Sequence, residues 1–444
     1  MTGAVIVWFR QDLRLADNPA LHAAVQTGQP VIPVYIWSPE EEGEWAPGAA
    51  SRWWLHHSLT ALAKDLDRRG SRLILAKGRA LTVLKKLAAA TGATAVHWNK
   101  RYEPAAVQCS EEVAQGLKIQ TAEFNGALLA QPTGFLNKSG KPYQVFTAFK
   151  RALLHVLDPG PLVPTPRKLH APSRWPKSTS LESLGLMPRI QWYKTMEANW
   201  VAGEKGANQA LQAFLRKPIE DYSNARNLPA TRGTSRLSPH LHFGEIGPRQ
   251  IWHQLGARGR SSVFFSEIVW REFAYHLLHH FPHTTTQPMH AEFAKFPWRR
   301  NTRLLRAWQR GNTGIPMVDA GMRELWAMGW MHNRVRMVVA SFLVKNLLIA
   351  WQDGTRWFWD TLVDADLANN TLNWQWAGGC GADAAPYFRI FNPATQAKRF
   401  DPQNTYIRKW VPQHGHPAPV VDLKKTREAA LDAYVTMRRA HRAK

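Results

Sequence analysis

A change of hydrophobic period near residue 130 divides this chain. Before it, short apolar, β-branched runs recur at 4–9, 30–37, 72–76, 93–98 and 119–124. Helix-like stretches such as 52–69 and 80–91 separate them. Short strands that are apolar throughout are buried on both faces, and alternation with helices makes the sheet parallel and doubly wound. Sheets of this kind bind ligands beyond the carboxyl ends of their strands. Residues 1–130 hold neither GxGxxG nor GxxxxGK[ST], so neither glycine-rich phosphate loop is available here.

After residue 130 the pattern changes twice. Pro159, Pro161, Pro164, Pro166, Pro172 and Pro176 interrupt regular structure, so 131–200 is expected to be a connector between domains. From 201 to 444 the apolar spacing is helical. It is clearest at 261–280, 316–331 and 335–351, and a basic helix is expected at 424–444. The expected fold is therefore α/β plus all-α: an N-terminal parallel-sheet domain over 1–130, a connector and a helical domain over 201–444.

Charge narrows the partner. Lys and Arg number 57 against 33 Asp and Glu, a formal net of +24. That balance in a chain with 45% hydrophobic residues points to a polyanion, most simply nucleic acid. Only Cys109 and Cys380 are present, too few for a disulfide framework, and the N-terminus does not read as a secretion signal. No run of 18 apolar residues occurs. A cytoplasmic protein that does not enter the membrane is expected. Tryptophan is abundant, with 21 in all and 12 between Trp252 and Trp410. Large cores use tryptophan, but many of these stand beside Arg, Asn, Gln or Asp.

Four segments carry chemistry. TRGTSRLSPHLHFG at 231–244 combines small and hydroxyl residues with Arg236, a composition suited either to phosphate or to an ordinary polar loop. In SEIVWREF at 266–273, Glu267, Trp270 and Arg271 share one helical turn. An indole beside a carboxylate can stack on a base and read its edge, or simply be core next to a surface ion pair. In GWMHNRVRM at 329–337, Asn333, Arg336 and Met337 fall on one face, and polar groups there need partners, supplied by a cofactor or by the protein. In DADLANNTLNWQW at 364–376, Asp364 and Asp366 lack the companions of a metal site and can equally bind sugar hydroxyls. His276, His279, His280 and His283 lie close in sequence, but no Cys or acid completes a metal site, so no metal is expected.

These segments in this order resemble the photolyase/cryptochrome family, in particular class I and the related class III photolyases of cyclobutane pyrimidine dimers. The resemblance runs from VWFRQDLRLADNPAL at 7–21 to AAPYFRIFNPATQ at 384–396. It implies an antenna domain followed by a helical domain that binds FAD. The implied FAD residues are Tyr222, Thr234, Ser235, Arg236, Leu237, Ser238, Asn333, Arg336, Asp364, Asp366 and Asn370. Arg236 is expected to pair with acids of the Asp366 kind. Asn370 aligns with the residue facing flavin N5, and its neutral amide helps keep the flavin fully reduced and anionic. Plant-type cryptochromes carry an acid there.

The resemblance also implies an electron relay through Trp374, Trp351 and Trp298. The lesion pocket would use Glu267, Trp270, Asn333, Met337 and Trp376, with Arg226, Arg334 and Gln396 holding DNA. The 6-4 photolyases carry His where Asn333 stands, so cyclobutane dimers are preferred. The implied activity is light-driven repair by electron transfer from photoexcited reduced FAD to a flipped dimer; the alternatives are a cryptochrome photoreceptor or a 6-4 photolyase. The partner is dimer-bearing DNA, and a monomer is expected. Ala105 and Ala106 stand where some bacterial members place Asn and Glu on a folate antenna, whereas EEEGE at 40–44 and SRWW at 51–54 are closer to plant cryptochromes and class III photolyases. Methenyltetrahydrofolate is the leading antenna, with 8-hydroxy-5-deazaflavin, or none, as alternatives.

Overall fold

The computed structural model describes residues 3–383, 388–412 and 414–442. The first four residues of the 384–396 motif and the last two of the 424–444 segment lie outside the described residues.

Five strands form one parallel sheet: β1 (Ala4–Phe9), β2 (Val31–Trp37), β3 (Ile74–Lys77), β4 (Ala93–Asn99) and β5 (Gln120–Phe124). Their spatial order is β3-β2-β1-β4-β5. The order reverses between β1 and β4, which opens a crevice at their carboxyl ends. β1 and β2 are buried at every position, as central parallel strands must be. The crossovers are α1 (Pro19–Gln26), α2 (Ala49–Asp67), α3 (Ala80–Thr91) and α4 (Pro104–Gly116). Asn18 caps α1 by accepting the Leu21 N–H, and Pro19 pre-sets its first turn.

No strand follows β5 among the described residues. The helices that matter below are α5 (Phe146–Val156), α6 (Glu204–Arg216), α7 (Val263–His280), α8 (Pro316–Met328), α9 (Asn333–Ser341), α10 (Trp351–Thr361), α11 (Leu367–Gly378), α12 (Pro393–Phe400) and α13 (Leu423–Arg442). Two differ from the sequence reading. The helix expected over 335–351 is broken: α9 runs into a wide turn at Phe342–Asn346, Leu348 takes a left-handed φ of 52°, and α10 restarts at Trp351. The region 131–200 also contains an ordered helix, α5, whose Phe149 and Leu153 are buried against α7. The proline-rich stretch begins only after it.

The VWFRQDLR motif joins the sheet to the helices. Arg14 is buried, and its guanidinium donates to the carbonyls of Asp17, Gly126 and Gly244 at 2.7–2.9 Å. Glu245, fully buried, accepts from Trp54 Nε1 at 3.0 Å and from Gly203 N at 2.7 Å, and its other oxygen meets His240 Nδ1. One face of the sheet shares a hydrophobic cluster with Trp200, Met328, Trp330 and Val363. The two regions are therefore docked over a large apolar surface and pinned by buried hydrogen bonds.

Candidate active site

A cavity of about 590 Å³ opens between α9, α10 and α11. Asn333, Arg336 and Met337 line it from α9, on the single face that their spacing requires. Asn369, Asn370, Asn373, Trp374, Trp376 and Ala377 line it from α11, and Asp364 lies just before that helix. Asp366 caps α11, accepting from Asn369 N at 2.8 Å, which fixes the helix start under the cavity.

Arg336 Nη2 donates to both oxygens of Asp364, at 2.8 and 3.1 Å. The expected pairing of Arg236 with acids such as Asp366 does not occur. Asp366 is bound by Tyr275 Oη and by Asn369 instead. Arg236 stacks on Trp200 and Trp330, with its guanidinium carbon 4.3 and 5.0 Å from the ring centroids. Burial and the neighbouring Arg232 lower its pKa. Its Nε is buried without a partner, and its φ is +55°. A cation held in this way, with an unfilled donor, suits an anionic ligand.

The 234–238 segment reaches this site through Trp330. Trp330 Nε1 donates to Ser238 Oγ at 3.3 Å, and the Arg336 guanidinium carbon lies 5.9 Å from the centroid of the Trp330 ring. Leu237 is buried, while Thr234 and Ser235 are half-buried. Gly233 lets the loop close on the Tyr222–Ala225 helix, since a Cβ there would sit 2.5 Å from the Ala225 methyl. Tyr222 is buried against Phe214 and Phe264. Arg236 and Ser238 contact Trp330, and none of these residues lines the cavity itself.

The proposed DNA residues fall into two groups. Arg226 Nη1 pairs with Glu267 Oε1 at 2.7 Å, and burial still raises the Glu267 pKa against that attraction. Arg334 Nη2 donates to Asn227 Oδ1 at 2.5 Å and its guanidinium covers Phe400. Gln396 projects from α12 with a buried Oε1 that lacks a partner. Trp270 is half-buried and stacks on Phe146. Glu267 and Trp270 do not line the cavity. Arg271, expected beside them, turns away to donate to Ala127 O at 2.9 Å. Burial together with Arg334, Arg336 and Arg226 depresses His332 to about 4, so this rim is a concentration of positive potential.

Trp374 and Trp351 are buried in the helical core, and Trp298 is half-buried at its edge. A Cβ on Gly354 would lie 2.1 Å from the Trp374 ring, so glycine alone lets that indole lie on α10. The asparagines at 369 and 373 were missed from sequence, although their spacing of four, continued by Ala377, puts them on one face of α11; Gly354 left no signal, because its role depends on how α10 and α11 dock.

A second cavity, about 860 Å³, lies at the carboxyl ends of β1 and β2. Arg10, Trp37, Glu41, Glu42, Trp45 and Arg101 line it, as does Ala106. Arg101 pairs with Glu42 and Glu103. Among the described residues, no group of three or more His, Cys, Asp or Glu is arranged to hold a metal. His276 accepts from Tyr143 N at 3.0 Å and is pushed down to about 3, chiefly by burial.

Comparison with known proteins decides the family. Residues 5–169 match the model described as DNA photolyase, and 264–416 match the FAD binding domain of DNA photolyase. A deoxyribodipyrimidine photo-lyase of Agrobacterium fabrum is 45% identical over 99% of both chains. The chain belongs to the DNA photolyase family. A crystal structure of a bacterial class III photolyase from Agrobacterium tumefaciens superposes with a TM-score of 0.94 at 44% identity, covering 99% of this chain and 98% of that one. Cryptochrome-2 of Arabidopsis thaliana is 38% identical over 93% of this photolyase-family chain and 71% of its own. No helix among the described residues is long and apolar enough to cross a membrane.

Proposed function

We propose that this chain is a deoxyribodipyrimidine photo-lyase that uses light to split cyclobutane pyrimidine dimers in DNA. The observation that carries the reading is one cavity shared by two sets of residues. Asp364, Arg336 and Asn370 form its polar wall, and Met337 and Trp376 form its apolar wall. The polar wall fits the cofactor that the family's FAD-binding domain takes. The buried, unpartnered Nε1 of Trp374 on this cavity, and Nε of Arg236 beside Trp330, are donors that a polar ligand would complete.

FAD, when bound and reduced, supplies the light-absorbing electron donor. The protein's own residues bind and orient. Asp364 holds Arg336 in place for the polar face, and the Asn370 amide Nδ2 is tied to Thr355 O at 3.2 Å, which leaves its oxygen for a ligand. Trp270 and Trp376 offer ring faces to a flipped dimer, and Glu267 accepts from a base edge. Arg226, Arg334 and Gln396 hold the strand. Trp374, Trp351 and Trp298 relay electrons inward from the surface. The ring opening breaks two carbon–carbon bonds with no net oxidation or reduction.

The cavity at the sheet's carboxyl ends is the proposed antenna site, with methenyltetrahydrofolate as its ligand. Glu41, Glu42 and Trp45, from the segment that is closer to class III photolyases, line it. The protein acts as a monomer in the cytoplasm. The neutral Asn370 separates this reading from that of a photoreceptor that does not repair.

The test is an absorbance spectrum of purified protein, then illumination of the dithionite-reduced sample with a dimer-bearing oligo(dT). A flavin spectrum with light-dependent return of thymine absorbance is expected. Flavin without repair would move the assignment to a 6-4 photolyase or a cryptochrome.

A further inference from the structure

Phe146 begins α5, in the stretch that the sequence suggests is only a connector. Its ring lies face to face with that of Trp270, 3.6 Å between centroids and 6° between planes. This is the shortest ring separation among the described residues. Aromatic pairs left to themselves prefer offset or edge-on geometries with centroids roughly 4.5–7 Å apart. Something other than ring attraction therefore holds the two together.

The holding contacts come from the helix. The Phe146 N–H, an orphan donor at the first turn of α5, is taken by the Asp383 carboxylate at 3.2 Å. Asp383 follows α11 in the chain, so the segment after that helix also caps α5. One turn on, Lys150 Nζ donates to Ser266 Oγ of α7 at 2.6 Å. Phe149 and Leu153 bury the inner face of α5. Neither Phe146 nor Trp270 is a core residue, for both are half-exposed.

We propose that Phe146 is a positioning residue for lesion recognition: it backs one face of the Trp270 indole and holds it as a rigid platform whose other face receives the flipped base. The inference rests on the reading of Trp270 as a lesion contact. A half-exposed tryptophan without a backing ring would sample several rotamers, and ordering it would weaken binding. Phe146 removes that cost before the DNA arrives.

Phe146→Leu keeps an apolar side chain of similar reach but has no flat face. It is expected to bind dimer-bearing duplex roughly 2–10-fold more weakly, the range of an aromatic pair. KM should rise by the same factor, with kcat at saturating DNA, FAD content and affinity for undamaged duplex unchanged. Phe146→Tyr restores the face and should bind like the wild type. Phe146→Met, flexible and equally non-planar, replaces the leucine variant if that one does not fold. Wild-type dimer affinity in the non-planar variants, or equal losses in the leucine and tyrosine variants, overturns the proposal. Trp270→Leu in the same assay separates the two levels. If it weakens dimer binding while Phe146→Leu does not, only the role of Phe146 is lost. If it has no effect, the lesion contact falls and the platform with it.

Discussion

The two cavities of this molecule differ in how their charged groups are held. At the sheet cavity the charges share several partners. Arg101 meets Glu42 and Glu103, and Arg10 donates to Asn99 O and to Ser110 Oγ at 2.9 Å. At the helical cavity the charged lining is one pair, Arg336 with Asp364, set among the amides of Asn333, Asn369, Asn370 and Asn373. Both cavities keep buried polar atoms without a protein partner, Trp8 Nε1, Arg10 Nε and His242 Nδ1 at the first and Trp374 Nε1 at the second, which a polar ligand can complete. A wall of shared charges withstands the loss of one partner, whereas a lone buried pair does not.

The largest effect that would break the contrast is expected at Asp364. Asp364→Ala strands Arg336 and removes two charge-assisted bonds at once. A bond of that kind is worth about 1.5–3 kcal/mol, or roughly 10–150-fold in affinity. The purified variant should retain little flavin, read as the ratio of absorbance at the flavin band to that of protein. Full flavin occupancy would show that the Arg336–Asp364 pair serves the fold alone.

Next in size is Trp374→Phe. The phenylalanine ring is far harder to oxidise, so light-driven reduction of oxidised enzyme should drop to a small fraction of the wild-type rate. Repair by chemically reduced enzyme should persist, because Trp374 is then not called on. Loss of repair in the pre-reduced variant would mean that Trp374 shapes the cavity, where its ring lies tightly on Gly354.

Much of this was legible in the sequence, for physical reasons. The strand and helix periods exposed the division into sheet and helices, because burial on both faces or one face leaves different spacings. Asn333, Arg336 and Met337 share a face because a helix dictates it. Pairings between segments were not legible. Nothing in the sequence says that Arg236 faces Trp200 and Trp330 and that Asp366 faces Tyr275, since those contacts depend on how separate helices dock. The break at Leu348 was hidden because its apolar neighbours continue the helical spacing and only tertiary contacts force the left-handed turn. α5 was hidden by the prolines that follow it, although Phe146, Phe149 and Leu153 already show the spacing of a buried helical face.

Glu42→Gln probes the sheet cavity and should have a smaller effect. Arg101 keeps Glu103, so the fold and flavin content should be unchanged. Antenna content and the repair gained from light absorbed by the antenna should fall, while repair under direct excitation of the flavin stays at the wild-type rate. A parallel loss of flavin would contradict the independence of the two cavities.

The smallest effect concerns the joint between the regions. Glu272 on α7 accepts the N–H groups of Leu129 and Ala130, at 2.9 and 3.3 Å, where the chain leaves the sheet. Burial raises its pKa to about 7 despite Arg271. An unfolded carboxyl of this type titrates near ~4.3. Between those values the folded chain keeps a proton that the unfolded chain has released, so stability from this group is greatest at low pH and is lost as pH rises through about 7. Glu272→Gln stays neutral throughout, and its carbonyl can accept both N–H groups. The variant should match the wild type near pH 5 and melt about 1–3 °C higher near pH 8, the shift that a change of order 1 kcal/mol produces in a large domain. Identical melting curves at both pH values would place the proton elsewhere in the joint and leave Glu272 ionised, held by Arg271.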